Sequence, residues 1–284
     1  MVCVILKKSN DFIMSRMFRR LVIVSIFLSF NALLIFGIYF GIIKKPASCI
    51  DGIQNQNEQG IDCGGICTNA CIEVVVGQDF QTKEVTFVPG GNNRYDVMAR
   101  IFNGNDAIGA PSFRYTFQLK DASGQVLATR SGNNYILPQE TKTLIEVNLE
   151  SALSPASVSL SISDVSWERF TGYREKPTIN IYQKRYNQLT TGAGYSGAYG
   201  LVSNESPYDF RSIIVKVILR DSTGKPLAFN QTKQDNVTAG ESRDFMLIWP
   251  LPFPGTVERV DMEVDADVYH SQNFERQYFP GGRL

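Results

Sequence analysis

The chain has 284 residues, with 28 Lys+Arg, 28 Asp+Glu, one His and five Cys. At 43% hydrophobic and 20% charged residues, it has the composition of a folded protein, not a disordered one. Zero net charge excludes the basic surplus of a nucleic-acid binder, and a single histidine, His270, excludes His-rich metal sites.

That neutrality is the sum of unlike parts. Residues 1–20 carry Lys7, Lys8, Arg16, Arg19 and Arg20 against Asp11 alone, whereas residues 46–284 carry an acidic surplus. Leu21 to Ile43 holds no charge, and Asn31 is its one strongly polar residue. As a helix this run is about 34 Å long, enough to cross a hydrocarbon core of roughly 30 Å. More basic residues precede it than follow it (Lys44 and Lys45), so the positive-inside bias predicts a cytoplasmic N-terminus. A signal peptide has an apolar region of about 7–15 residues that runs into a small-x-small site. This run is longer and ends in Lys-Lys-Pro, which predicts an uncleaved anchor. The expectation is a basic tail over 1–20 and a transmembrane helix over 21–43, with the lipid bilayer as a partner.

Cys3 falls on the cytoplasmic side. Cys49, Cys63, Cys67 and Cys71 cluster just beyond the span, within a module over 44–72. An even count of cysteines on the oxidising side of a membrane predicts two disulfides, and the spacing leaves their pairing open. Zinc would need a reducing compartment to keep thiolates. A segment this short and polar buries no core of its own, so cross-links must hold it. The module also carries Asp51, Asn55, Asn57, Glu58 and Asp62, hard oxygen donors that make Ca²⁺ a candidate ligand. Their spacing does not match the twelve-residue helix-loop-helix calcium loop, and a turn-rich linker is the alternative reading. The pattern of Cys49, Asp51-Gly52, Asn55, Glu58, Asp62-Cys63-Gly64-Gly65 and Cys67 resembles a juxtamembrane module of uncharacterised envelope proteins from uncultured small-genome bacteria. The resemblance implies an extracytoplasmic anchor module and brings no activity with it.

From Glu73 onward the pattern becomes short alternating strands. Tyr95, Val97, Ala99 and Ile101 share one face, with Asp96, Met98 and Arg100 on the other, and Phe113, Tyr115, Phe117 and Leu119 repeat the period. Turns are expected at Pro89-Gly90-Gly91, at Asp121–Gly124 and around Leu137-Pro138. No later segment has a helical period.

A second copy follows. The run from Leu119 to Ala128 matches Leu219 to Ala228, Asn103 pairs with Asn204, Glu140 with Glu241, and Trp167 with Tyr269. Val158, Leu160 and Ile162 likewise pair with Val260, Met262 and Val264. The near-constant offset predicts two related domains, over 73–172 and 173–284. Their strand count and length fit tandem antiparallel immunoglobulin-like β-sandwiches. The predicted class is therefore mainly β.

Chemistry is sparse. Trp249-Pro250-Leu251-Pro252-Phe253-Pro254-Gly255 reads as a rigid crossover with Trp249 and Phe253 closing the core, or as an exposed loop for a partner. His270 stands without a neighbouring nucleophile motif. Gly192, Gly194, Gly197 and Gly200 look phosphate-like but lead into a strand, where no helix N-terminus awaits an anion. Asn204, Asn230 and Asn236 begin glycosylation sequons. No motif for a catalytic centre appears, so the expectation is a non-catalytic envelope protein presenting binding or spacer domains to a protein partner. An accessory subunit of a secretion, pilus or transport complex is the first alternative, and an enzyme built on scattered carboxylates the second.

Overall fold

The computed structural model describes residues 16–40, 48–71 without 56 and 70, and 75–279 without 174, 175, 191 and 193. The chain divides into two compact units, 1–74 and 75–284. In the first, α1 (Arg16–Ile38) is long and apolar enough to cross a membrane and buries none of its side chains. Leu, Ile and Phe therefore face outward all round it, as a helix solvated by lipid requires. Asn31 Nδ2 donates to the Phe27 carbonyl at 2.8 Å, so its amide finds a partner within its own turn. Cys3 and residues 41–43 of the expected span lie outside the described residues.

Among the described residues, the second unit holds twelve strands in two antiparallel sandwiches. The first sandwich is built from β1 (Gln81–Gly91), β2 (Arg94–Phe102), β3 (Ile108–Lys120), β4 (Val126–Ile136), β5 (Thr141–Glu150) and β6 (Ser157–Arg169). The second is built from β7 (Ile179–Gln188), β8 (Ser196–Asn204), β9 (Phe210–Arg220), β10 (Pro226–Val237), β11 (Ser242–Trp249) and β12 (Arg259–Ala266). Four three-stranded sheets result, ordered β1-β2-β5, β4-β3-β6, β11-β8-β7 and β10-β9-β12. Val97, Ala99 and Ile101 of β2 meet Phe113, Phe117 and Leu119 of β3 in the first core. Val215 and Val217 of β9 meet Val202, Phe245 and Trp249 in the second. A short helix, α2 (Gln272–Tyr278), buries Phe274 in that second core. Its seven residues are too few to print a helical period, which is why the sequence pattern misses it.

The turns explain themselves locally. Asn92 and Asn93 both take positive φ, 52° and 58°, and close the β1–β2 hairpin. The expected turn at Pro89-Gly90-Gly91 is instead the end of β1. Asp121 Oδ1 accepts the N–H groups of Ser123 and Gln125 at 2.8 and 2.9 Å. Asp221 does the same for Thr223 and Lys225, both at 2.9 Å.

The alternation breaks in two strands. Met98, on the supposedly outer face of β2, is fully buried, and so is Ile218 of β9. Both belong to a third apolar cluster, with Val88, Ile145 and Phe229, that joins sheet β1-β2-β5 to sheet β10-β9-β12. Each such side chain contributes roughly 1.5–3 kcal/mol when fully buried. The sandwiches thus lie face to face as four layers, and the second adds thickness where an end-to-end spacer would add length.

Candidate functional site

The cysteine module forms two interlaced disulfides, Cys49–Cys67 and Cys63–Cys71. Closing the 18-residue separation of the first is worth about 3 kcal/mol on the loop-entropy model. Inside the cross-links the acidic residues act as acceptors in place of secondary structure. Asp62 takes the N–H groups of Asp51 and Gly52, both at 2.9 Å. Asp51 takes those of Ser48 and Ile53 and the Asn55 amide, at 3.1, 2.9 and 3.0 Å. Glu58 is buried and takes the Asn55 N–H at 3.0 Å. A Cβ on Gly65, at φ +60°, would fall 1.8 Å from the Asn57 carbonyl oxygen, so that position admits only glycine. The spacing of Asp-Gly, Glu and Asp-Cys-Gly-Gly is accounted for by this scaffold. Of the calcium candidates Asp51, Asn55, Asn57, Glu58 and Asp62, the three carboxylates are already engaged as internal acceptors. Cys49, Glu58 and Cys67 do bring potential ligand atoms together, but the two sulfurs are joined to each other.

A second cluster lies on the seam between the sandwiches. Lys142 of β5 is wholly enclosed, its Nζ 3.5 Å from Asp265 Oδ2, 3.7 Å from Glu140 Oε2 and 3.8 Å from the Tyr135 ring centroid. Lys216 of β9 donates to the Asp265 carboxylate and to the Thr143 carbonyl. Burial pushes the Asp265 carboxyl up, but the ammonium groups of Lys142 and Lys216 outweigh it and hold the carboxyl at about 2. Arg100 of the first sandwich pairs with Glu263 of the second, and Thr143 Oγ1 donates to the same carboxylate at 2.6 Å. Arg220 bridges Asp261 at 2.8 Å and Glu84 at 3.3 Å. Asp96 sits beside the seam, pushed up by burial and drawn partly back by the Asn148 N–H. An apolar centre with paired charges around it is the anatomy of a permanent interface.

Sequence reasoning missed this cluster, although two signals were present. Lys216 interrupts the apolar run Ile213–Leu219, and Asp261, Glu263 and Asp265 alternate along β12. Such a lysine needs a partner from elsewhere in the fold.

The Trp249–Gly255 loop docks within the chain. Trp249 is buried and its indole N–H donates to the Phe229 carbonyl at 3.2 Å, while Phe253 is buried edge-on against Tyr195. Neither ring is therefore available to an outside partner. Leu251 reaches the first sandwich, where a Cβ on Gly91 would meet its Cδ1 at 2.4 Å. His270 is exposed and its Nδ1 lies 3.0 Å from Asp267 Oδ1. Asn204, first residue of a sequon, is fully buried and committed to hydrogen bonds.

No family model matches the chain, and no curated protein does. Among solved structures, red sea bream transglutaminase aligns at 9% identity with a TM-score of 0.21. The match covers 68% of this chain and 29% of the transglutaminase, a likeness too slight to carry an argument about either fold or activity.

Proposed function

We propose that the chain is a non-catalytic, single-pass membrane protein with its N-terminus in the cytoplasm and its disulfide module and double sandwich outside. One observation carries the reading: a helix that buries none of its apolar side chains is followed closely by a module with two disulfides. A helix with no internal partner for its apolar surface needs lipid, and disulfides persist in oxidising compartments. The order of the two supports an outer location for the C-terminal body, as does the basic N-terminal tail. Buried Lys142 and Arg220 pair with Asp265 and Glu84 across the seam, which suits a rigid display platform in the cell envelope.

Labelling with a membrane-impermeant maleimide tests the topology, and the intact mass of the mature chain tests the anchor. Intact cells should give no labelling before reduction and labelling of Cys49, Cys63, Cys67 and Cys71 after an impermeant reductant. Cys3 should react only after permeabilisation, and the mature mass should include the helix. A mature chain lacking the helix would make it a cleaved signal, and free thiols in the module without reduction would reverse the assigned side.

A further inference from the structure

The outer face of sheet β11-β8-β7 carries a groove. Its centre is Tyr199 on β8, flanked in register by Arg185 on β7 and Met246 on β11. The phenol end of Tyr199 rests over Gly197, where a Cβ would meet its hydroxyl at 2.8 Å. The ring therefore lies along the strand and, half-buried, borders the groove. A β-bulge between Tyr182 and Arg185, with Gln183 at φ +51°, raises the β7 side. The result is a shallow groove of about 450 Å³ lined chiefly by Gln183, Arg185, Asn187, Tyr199, Asp244 and Met246. This is within the usual range for small-ligand sites, roughly 300–1,000 Å³.

Among the described residues, the side chains of Gln183, Arg185, Asn187 and Asp244 make no hydrogen bond or ion pair, although all four are exposed around one aromatic ring. Two planar amides, a guanidinium and a carboxylate can each engage two adjacent hydroxyls at once. The tyrosine and the thioether offer the flat apolar surface that the C–H face of a pyranose ring covers. One cation and one anion cancel, which suits a neutral polyol over an ionic ligand. We propose that this groove binds an oligosaccharide, its sugar ring stacked on Tyr199 and its hydroxyls held by Arg185, Asn187, Gln183 and Asp244. The inference rests on the β-body alone and stands or falls independently of the membrane topology.

The test uses the full-length chain in a sugar-free detergent, titrated calorimetrically with cellotetraose, maltotetraose, chitotetraose and mannotetraose. At least one should bind with a dissociation constant of about 1 mM or tighter. Tyr199→Ala should weaken that binding about tenfold or more. Gly197→Ala keeps the ring but lifts it from the strand, and should weaken binding with an unchanged unfolding midpoint. Arg185→Ala should weaken binding severalfold, while Thr116→Ala on the opposite outer face should leave it unaltered. The proposal is overturned if none of the four sugars binds, or if binding survives both Tyr199→Ala and Arg185→Ala. Sedimentation closes the remaining route: concentration-dependent self-association abolished by Tyr199→Ala, without sugar binding, would make the groove a protein contact instead.

Discussion

The two sandwiches share a set of hydrogen bonds in their turns and differ on their faces. Asn103 Nδ2 donates to the Ile108 and Leu137 carbonyls at 2.8 and 2.9 Å, and Asn204 Nδ2 donates to those of Tyr208 and Thr238 at the same two distances. Glu140 Oε2 accepts the Leu137 N–H at 2.8 Å, and Glu241 Oε2 accepts the Thr238 N–H at 2.8 Å. Strand registers agree as well: Met98 pairs with Ile145 as Tyr199 pairs with Met246, and Thr116 with Ser161 as Lys216 with Glu263. The faces do not follow. Where β12 carries Asp261, Glu263 and Asp265 to the seam, β6 carries Ser159, Ser161 and Ser163 on an outer surface. Where β2 and β5 bury Met98 and Ile145 in the seam, β8 and β11 set out Tyr199 and Met246 around the groove. The framework residues fix one fold twice, and the face residues decide which sheet is covered and which stays open.

The largest effect should come from removing the carboxylate on which the seam converges. Asp265→Ala leaves the ammonium groups of Lys142 and Lys216 buried with one partner fewer between them, and should cost about 3–5 kcal/mol. The counterpart Ser163→Ala, on the open face, should stay within about 0.5 kcal/mol. Urea unfolding of both variants measures the difference, and equal losses would remove the seam as the distinguishing feature.

Acid should reveal the same carboxylate next. The folded Asp265 carboxyl lies at about 2 against an ordinary 3.8, so it is depressed by folding. A depressed carboxylate contributes stability above its unfolded value, and that contribution is lost as pH falls from about 4 through about 2. Asp265→Asn should flatten this part of the stability profile, and a profile of unchanged slope would contradict the ion pairing.

The turn asparagines should cost the same in both copies. Asn103→Ala and Asn204→Ala each remove the amide donor of two backbone carbonyls, one of them in a buried bond, for a loss of about 1–3 kcal/mol apiece. Hydrogen exchange at the neighbouring amides would report each loss in its own sandwich. A loss confined to one copy would mean that the matched bonds carry unmatched weight.

Much of this architecture was legible in advance because local chemistry carries it. The unbroken apolar run, the cysteine count and the Asp-x-x-Gly turns each encode one feature within a few residues, and the cores follow from period-two strands. What escaped depends on residues far apart in sequence. Met98 reads as an outward residue until Ile218 and Phe229, more than a hundred positions away, close over it. Lys142 and Lys216 are anomalies in isolation and partners only once two sandwiches meet. The groove was hidden for another reason: Gly197 and Gly200 look like a loop signal, yet both lie within β8. The missing Cβ groups leave room for Tyr199 on one face and Phe245 on the other.

The smallest effect separates the basic residues that follow the paired glutamates, Lys142 after Glu140 and Arg243 after Glu241. Lys142 lies enclosed in the seam, whereas Arg243 is half-buried, with Nε 2.6 Å from Glu241 Oε1. Lys142→Met keeps the length of the side chain and its contact with the Tyr135 ring while removing a desolvated charge. Asp265 retains Lys216, and Glu140 retains the Leu137 N–H, so no carboxylate is left unpartnered. The expected loss at neutral pH is under about 2 kcal/mol, because removing a buried charge also removes its desolvation cost. The acid transition should nevertheless begin at higher pH, since one of the two ammonium groups depressing Asp265 is gone. Arg243→Met removes the strongest influence holding the partly exposed Glu241 carboxyl at about 2, so it should move the acid transition in the same direction but, screened by water, by less. A larger acid shift in the first variant than in the second would assign most of the pH response to the seam, and equal shifts would return it to the shared glutamate turn.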